Sequence, residues 1–117
     1  MNHVRFGRKG EDLAVDFLAA HGYDIIERNY RKKFGEIDIV ARDGATLCFI
    51  EVKTRITDAY GHPFEAVTPS KQRVIRRLAA VYLADHRIGD ELIRFDVIGV
   101  FFPDGAGPVV ELLKDAF

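Results

Sequence analysis

Hydrophobic residues recur along the chain at two different spacings, and the spacing separates helices from strands. Between Gly7 and Ala20 the apolar residues return every three or four positions, which predicts an amphipathic helix that ends before Gly22. A second helix is predicted from Pro69 to about His86, because Thr68 offers an N-cap ahead of a proline and the following apolar residues share one stripe. The chain therefore begins with one helix and carries another in its middle.

Five segments show the short β-branched and aromatic pattern of strands. They are residues 23–30, 36–41, 46–54, 93–102 and 109–113, the last short enough to lie at a sheet edge. Asp43-Gly44 indicates a hairpin turn, Pro103-Asp104-Gly105 another turn, and residues 55–67 a long irregular loop. A helix between the third and fourth strands suits a crossover connection. The predicted class is α/β, in the order α-β-β-β-α-β-β, with a mixed central sheet covered by helices on both faces.

Composition places the chain among ordinary globular domains, and we expect residues 1–117 to form one domain. Hydrophobic residues make up 48% and charged residues 30% of the sequence. No apolar run approaches the length needed to cross a bilayer, and the lone Cys48 cannot form an internal disulfide. We therefore expect a cytoplasmic protein without membrane contact.

The charges are balanced overall but unevenly placed. The formal net charge is -1, so composition alone does not predict a polyanionic partner. Two basic clusters nevertheless stand out, Arg28, Arg31, Lys32 and Lys33 in one, and Lys71, Arg73, Arg76 and Arg77 in the other. Two interpretations are open: the clusters are solvated faces, or they hold nucleic-acid phosphates.

Charged residues interrupt the apolar pattern of the predicted hairpin. Side chains alternate along a strand, so Glu51 and Lys53 project from one face of the third strand, and Glu36 and Asp38 share a face of the second. A two-residue Asp43-Gly44 loop would put Glu36 opposite Glu51, with Asp38 diagonal. A four-residue loop from Asp43 to Thr46 would put Asp38 directly opposite Glu51. In both registers two carboxylates converge.

Converging carboxylates need a positive charge between them, and the pattern favours Mg²⁺, with Mn²⁺ as a substitute. Hard cations bind oxygen ligands, whereas the four histidines are scattered and no His/Cys group has zinc spacing. A carboxylate-held metal beside Lys53 suits phosphodiester hydrolysis, because the metal activates water and both cations stabilise charge on phosphoryl oxygens. The competing interpretation is that Glu51 and Lys53 are solvent-facing residues of a strand covered on one side only.

Two segments of the hairpin carry a family resemblance. Residues 35–40 (Gly-Glu-Ile-Asp-Ile-Val) and 49–55 (Phe-Ile-Glu-Val-Lys-Thr-Arg) resemble the central motif of the PD-(D/E)xK nuclease superfamily. More closely they resemble the YraN-like family, small bacterial proteins related in fold to archaeal Holliday junction resolvases. The resemblance runs nearly end to end and includes residues 7–14, 22–23, 28–31, 71–73, 94–97 and 116–117. It implies a restriction-endonuclease-like core.

The resemblance also implies roles for individual residues. Asp38 and Glu51 would bind the metal, and Lys53 would position or polarise the attacking water. Resolvase-like relatives place a glutamate of the first helix near the metal, and Glu11 is the matching position; an ordinary acid favoured by the helix dipole is the alternative. The implied activity is Mg²⁺-dependent cleavage of DNA, with branched or recombination intermediates as candidate substrates. Because such enzymes cut paired strands with two sites, we expect a homodimer.

Several basic and polar residues are predicted to contact nucleic acid. They are Arg31, Lys32, Lys33, Arg55, Lys71, Gln72 and Arg73. Arg55 extends the face that carries Glu51 and Lys53, where it either contacts a phosphate or is solvated. Lys71 and Gln72 open the second helix, where related nucleases keep a polar residue facing the active site; capping or solvent exposure competes with that role. The alternative function is a nucleic-acid-binding protein of the same fold without independent cleavage.

One further acid is left out of the predicted site. Asp96 lies between Phe95 and Val97 in an apolar strand. We predict that it is a structural partner of a nearby arginine rather than a metal ligand.

Overall fold

The computed structural model describes residues 3–55, 67–103 and 105–117. Within these ranges two helices and five strands follow in the predicted order, which confirms the α/β class. They are α1 (His3–Ala20), β1 (Asp24–Lys32), β2 (Gly35–Asp43), β3 (Thr46–Arg55), α2 (Pro69–Asp85), β4 (Ile93–Phe101) and β5 (Val109–Leu113). Most of the predicted loop, residues 56–66, and Asp104 of the predicted turn lie outside the described residues.

The strands form one mixed sheet in the sequential order β1-β2-β3-β4-β5. Neighbouring strands are antiparallel except for β3 and β4, which run parallel and are connected through α2. This is the predicted crossover, since parallel neighbours cannot be joined by a tight turn. The prediction that the last strand is short and at an edge is also confirmed.

Both faces of the sheet are covered, as predicted. Alternate residues of β3 point to opposite faces, so Phe49 packs in a core with Leu78 of α2, while Ile50 packs in a second core with Leu18 of α1. Each of these side chains is fully buried, and burial of such a side chain contributes about 1.5–3 kcal/mol. No helix in the described part of the chain is long and apolar enough to cross a membrane.

Local sequence explains where α2 begins. Thr68 has extended backbone angles, and its hydroxyl accepts a hydrogen bond from the Lys71 main-chain N–H at 3.2 Å. Pro69 follows at the start of the helix, where its missing N–H costs nothing. The predicted N-cap is confirmed, and it fixes the direction in which the first turn of α2 approaches β3.

The hairpin between β2 and β3 combines the loop length of one expectation with the register of the other. Asp43 pairs with Thr46, so the loop is Gly44-Ala45, and Gly44 takes a φ of 61° at the first loop position, where type II′ turns need glycine. Ile39 pairs with Ile50, and one further step places Asp38 across from Glu51. The register expected for the four-residue loop is therefore right although the loop has two residues. The register with Glu36 opposite Glu51 is wrong.

A buried polar network joins β4 to its surroundings. Asp96 is fully buried and accepts hydrogen bonds from Arg94 at 2.8 and 2.9 Å, from the Tyr23 hydroxyl at 3.1 Å and from the Asp115 main-chain N–H at 2.9 Å. Arg94 also donates to Asp43 at 2.8 Å. The prediction that Asp96 is a structural partner of an arginine is confirmed. Because each member has a partner, burial of this acid is compatible with a stable fold.

Candidate active site

Asp38 lies where the hydrogen-bond ladder of the sheet is interrupted. The pairing of β1 with β2 includes Arg28 with Ile39 and Tyr30 with Ile37 but skips Asn29 and Asp38 between them. Asn29 has a φ of 57°, a left-handed conformation that asparagine tolerates better than most residues. On the other side the β2–β3 pairing stops at Ile39. The backbone around Asp38 therefore departs from a regular strand.

The Asp38 side chain compensates for the interrupted ladder. Its Oδ2 accepts a hydrogen bond from the Val52 main-chain N–H at 2.7 Å, at the short end of the range for such bonds. A side-chain carboxylate thus occupies a position that a main-chain carbonyl holds elsewhere in the sheet. The contact fixes Asp38 next to β3 at the residue that follows Glu51.

Glu51 is buried next to two lysines from different elements. Its side chain is 6% exposed, and its Oε1 lies 3.7 Å from the Lys53 Nζ and 3.6 Å from the Lys71 Nζ. Lys53 belongs to the same strand, whereas Lys71 belongs to the first turn of α2. Both distances exceed those of a good hydrogen bond, so the charges attract without tight pairing. Lys71 therefore joins the site rather than only capping α2.

The environment of Asp38 opposes its ionisation. Burial, together with the charges of Glu51, Glu36 and Glu11, raises the pKa of Asp38 to about 8, and burial is the largest of these causes. The Val52 N–H acts in the opposite direction but does not offset them. Near neutral pH the Asp38 carboxyl of the metal-free protein therefore holds a proton for much of the time. A divalent cation would favour the ionised form.

Asp38 and Lys53 both reach a cavity of about 910 Å³ between α1 and the sheet. The cavity is polar and lined by Gly7, Arg8, Glu11, Asp12, Arg28, Asn29, Arg31, Asp38, Val52, Lys53 and Thr54. A Cβ at Gly10 would collide with the Thr54 side chain, so glycine there lets α1 approach β3 closely. Glu51 is not among the lining residues; its Oε1 lies 3.7 Å from the Nζ of Lys53, which is.

Glu11 lies in the same cavity but is already engaged. Its Oε1 accepts from the Asn29 side-chain amide at 3.0 Å and is 3.0 Å from an Arg28 guanidinium nitrogen. Arg28 also contacts Asp12 at 2.7 Å. The structure thus places Glu11 on the wall that faces Asp38, with Arg28 and Asn29 holding its carboxylate.

The predicted basic residues of the β1–β2 turn separate into three environments. Arg31 lines the cavity, but its guanidinium is 2.6 Å from a Glu36 carboxylate oxygen. Lys32 pairs with Asp85 at the end of α2, 3.2 Å away. Lys33 is exposed. Glu36 is therefore occupied by Arg31, although its charge is still felt by Asp38.

The other predicted nucleic-acid contacts also differ from one another. The Gln72 side-chain amide donates to the Val67 carbonyl at 3.1 Å, which anchors the start of α2. Arg73 is exposed on the helix. Arg55 is half-buried, and its buried Nε has no hydrogen-bond partner among the described residues. The Gln72 contact holds the segment before α2, and the cap of the helix is Thr68.

Three polar or charged cavity residues, Arg8, Asp12 and Asn29, were not predicted, and Arg28 was predicted only as part of a basic cluster. Arg8 and Asp12 lie three residues before and one after Glu11, so helical spacing would have placed Arg8 beside it. Arg28 and Asn29 enter the cavity through the β1–β2 register and the left-handed turn of Asn29. Nothing in the residue pattern indicates that geometry.

Comparison with known proteins shows what the chain is related to. Residues 10–100 match the family described as Uncharacterised protein family UPF0102. The chain belongs to the UPF0102 family. A UPF0102 protein of Geotalea daltonii is 53% identical over 111 residues, which cover 95% of this chain and 87% of that protein.

Other relatives are similar over the same length. A UPF0102 protein of Geobacter metallireducens is 50% identical over 117 residues, covering 100% of this chain and 95% of the relative. A UPF0102 protein of Rhodococcus jostii is 44% identical over 116 residues, which cover 99% of this chain and 98% of that protein. The UPF0102 match extends from α1 into β4, so it includes Glu11, Asp38, Glu51, Lys53 and Lys71, whereas the cavity residues Gly7 and Arg8 precede it.

The donor set of this UPF0102 protein suits a hard cation. Among the residues described, no three His, Cys, Asp or Glu side chains are gathered so that they could hold a metal ion by themselves. Mg²⁺ does not need such a cage, because it keeps several waters and uses one or two carboxylates plus substrate phosphates. Asp38 and Glu51, with the raised pKa of Asp38, fit that requirement.

Proposed function

We propose that this UPF0102 protein is a Mg²⁺-dependent endonuclease that hydrolyses phosphodiester bonds in DNA. The observation that carries the proposal is the burial of the Asp38 carboxyl beside the cavity and near Glu51, where burial first and the Glu51 charge second raise the pKa of Asp38. Perturbed acids beside a polar cavity are typical of functional sites. The resemblance of the hairpin to the PD-(D/E)xK motif supports the same roles.

Asp38 and Glu51 would hold the cation. When bound, Mg²⁺ would supply a Lewis acid and a water of lowered pKa. Asp38 would lose its proton on binding, and its Val52 hydrogen bond would keep the carboxylate oriented. Mn²⁺ is expected to substitute, since it accepts the same oxygen ligands.

Lys53 would act on the substrate side of the site. It lines the cavity and is 25% exposed, so its ammonium can meet a phosphate while the nearby Glu51 sets its position. A compact, rotatable ammonium is suited to a point contact with a phosphoryl oxygen or with the attacking water. Lys71 supplies a second positive charge from α2 at the same carboxylate.

Contacts to DNA outside the reacting group would be largely independent of sequence. The cations Arg8, Arg28 and Arg31 line the cavity, where phosphate is the natural ligand. The resolvase-like resemblance adds branched DNA as a candidate substrate and a homodimer as the active form. These two points rest on the resemblance alone.

One observation favours a second function. Glu11, the predicted third carboxylate, is held by Arg28 and Asn29. With Glu11 held in this way, the protein would bind nucleic acid but would need a partner to complete the metal site.

The test is incubation with supercoiled, linear and four-way-junction DNA in Mg²⁺, in Mn²⁺ and in EDTA. We expect cleavage with either metal that is lost in Lys53→Ala and retained in Lys114→Ala, an exposed lysine that lies outside the cavity and the predicted DNA contacts. Binding of DNA without cleavage of any of the three substrates would favour the second function. Cleavage that survives in EDTA would contradict the proposed metal dependence.

A further inference from the structure

The arginines of this protein are held in two different ways. Most described arginine side chains with a partner contact carboxylates; these are Arg28, Arg31, Arg42 and Arg94. Two arginines of α2 instead lie over aromatic rings. The Arg76 guanidinium is 4.7 Å from the ring centre of Phe95, and the Arg77 guanidinium is 4.0 Å from that of Phe34. In the part of the chain that the structure describes, no carboxylate forms an ion pair with Arg76 or Arg77.

Stacking on a ring prepares a guanidinium to bind an anion. The flat group places its face on the ring, which leaves the N–H donors at its edge available for a carboxylate or phosphate. Arg76 and Arg77 are both exposed, so these edges face solvent. Because the rings limit their freedom, less conformational entropy is lost when an anion binds. The two arginines are therefore held against rings without a carboxylate partner among the described residues.

These arginines belong to one positively charged surface. Arg73, Arg76, Arg77 and Ala80 are exposed at helical spacing on the outer side of α2. Lys33 precedes Phe34 in the β1–β2 turn, on which Arg77 stacks. We call Lys33, Arg73, Arg76 and Arg77 the α2 basic face. It carries four positive charges in a protein whose formal net charge is -1.

The α2 basic face is separate from the candidate active site. The cavity lies under α1, and α1 and α2 pack in different cores on opposite faces of the sheet. Its exposed positions on α2 are charged or small, and the one exposed ring beside it, Phe34, is in contact with the Arg77 guanidinium, so the face lacks the extended apolar centre of a typical protein interface. Charge complementarity favours a polyanion.

We propose that the α2 basic face docks the phosphate backbone of duplex DNA, at a second contact distinct from the cleavage cavity. The inference rests on the proposed function for its choice of DNA but not on cleavage. Such a contact holds a part of the substrate remote from the bond that is cut. It sets affinity through counterion release and leaves the chemical step to Asp38, Glu51 and Lys53.

The test measures binding without cleavage. Fluorescence anisotropy of a labelled duplex in EDTA, over a range of salt concentrations, gives the affinity and the slope of log affinity against log salt. We expect the double variant Arg76→Gln/Arg77→Gln to reduce the slope by about two, because each lost phosphate contact removes about 0.9. Ala80→Glu adds an acid to the face without removing a stacked side chain and should weaken binding about threefold or more.

Ala19→Glu is the matched control, since Ala19 is an exposed helix position on α1. It should leave both affinity and slope close to wild type. A slope unchanged in the double variant, with Ala80→Glu equal to Ala19→Glu, would overturn the proposal. Tighter binding of an RNA duplex than of the DNA duplex of the same sequence would overturn the choice of DNA.

Parallel cleavage assays separate this proposal from the proposed function. At saturating DNA the two α2 variants should cleave at the wild-type rate, because the reacting groups are untouched. If the α2 variants show the wild-type salt slope and the wild type cleaves DNA, only the docking role of the α2 basic face is rejected. If the variants change the salt slope as expected but the wild type cleaves no DNA, the docking role stands and the nuclease function is rejected.

Discussion

Two buried acid sites lie on neighbouring strands of the sheet and are treated in opposite ways. Asp96 of β4 pairs across from Ile50, one residue before Glu51 of β3. Asp96 has hydrogen-bond donors at both oxygens, including two from the Arg94 guanidinium. Glu51 instead shares its surroundings with another acid, Asp38, and its two lysines stay at 3.6 and 3.7 Å. The acid of β4 is satisfied by the fold, and those of β2 and β3 are not.

The difference separates a structural acid from the acids proposed to bind a cation. A satisfied buried ion pair needs no ligand, because its desolvation is offset within the protein. Like charges held together raise each other's proton affinity, and the fold tolerates them when something else binds there. That a carboxyl group is buried on a strand therefore says little about its role. The number and geometry of its hydrogen-bond and ion-pair partners are more informative.

The largest effect should come from breaking the satisfied site. Arg94→Met leaves Asp96 buried without its cation, which typically costs about 3–5 kcal/mol of unfolding free energy. Urea denaturation of the variant and the wild type measures the loss. The control is Arg42→Met, whose partly exposed pair with Glu91 should be worth less than about 1 kcal/mol. Equal losses in the two variants would contradict the structural role of the Asp96 network.

At the site of Asp38 and Glu51, mutation should instead increase the free energy of unfolding. Asp38→Asn keeps an acceptor for the Val52 N–H but removes the charge, so it should stabilise the metal-free protein. The pKa of Asp38 is raised from 3.8 to about 8 by folding, so folding favours the protonated form. The destabilisation is absent below the unfolded-state pKa and grows as the pH rises towards 8.

Urea denaturation in EDTA tests this sign. At about pH 8 the variant should exceed the wild type by about 2 kcal/mol or more, since one unit of pKa shift corresponds to about 1.4 kcal/mol. Near pH 4 the two proteins should be similar in stability. A variant that is less stable than the wild type at both pH values would show that the Asp38 charge is already compensated.

Much of this comparison could be predicted from the sequence, but not its decisive part. The order of elements and the Thr68 cap depend on local patterns, and the arginine partner of Asp96 follows from the isolation of one acid in an apolar strand. The hairpin register could not be predicted in this way, because the turn begins at Gly44 rather than at Asp43. Moving the turn by one residue changes which acid lies opposite Glu51.

The cavity and the second lysine were hidden for a related reason. Lys71 reaches Glu51 only because the crossover brings the first turn of α2 to the end of β3. Arg28 and Asn29 depend on a break in the β1–β2 ladder and on a left-handed residue. These are tertiary arrangements of residues far apart in sequence, which periodicity does not encode.

A smaller effect should separate Lys71 from its neighbours on α2. Lys71→Ala removes one of the two cations at Glu51 and should lower the rate of DNA cleavage at saturating substrate about tenfold, or about 1.4 kcal/mol of transition-state stabilisation. Arg73→Ala is the control with the same charge change at an exposed position of the same helix. If both variants lose affinity and keep the wild-type rate, Lys71 acts in binding alone.

The smallest effect concerns whether Glu11 can enter the metal site. Arg28→Ala releases the Glu11 carboxylate from its ion pair, and we expect Mn²⁺ binding to tighten several-fold, by less than about 1.4 kcal/mol. Calorimetric titration of Arg28→Ala, Glu11→Gln and the double variant forms a cycle that isolates Glu11. An Arg28→Ala gain that persists in the double variant would exclude Glu11 as the ligand responsible.

The central claim is that Asp38 and Glu51 form one cation site. Calorimetric titration of Mn²⁺ into the metal-free protein tests it most directly, with Asp38→Asn, Glu51→Gln and the exposed-pair control Glu91→Gln beside the wild type. We predict binding by the wild type and Glu91→Gln, and a loss of about tenfold or more in each site variant, since each removes one of the two carboxylate ligands. Equal Mn²⁺ affinity in all four proteins would place the ion elsewhere and contradict the account.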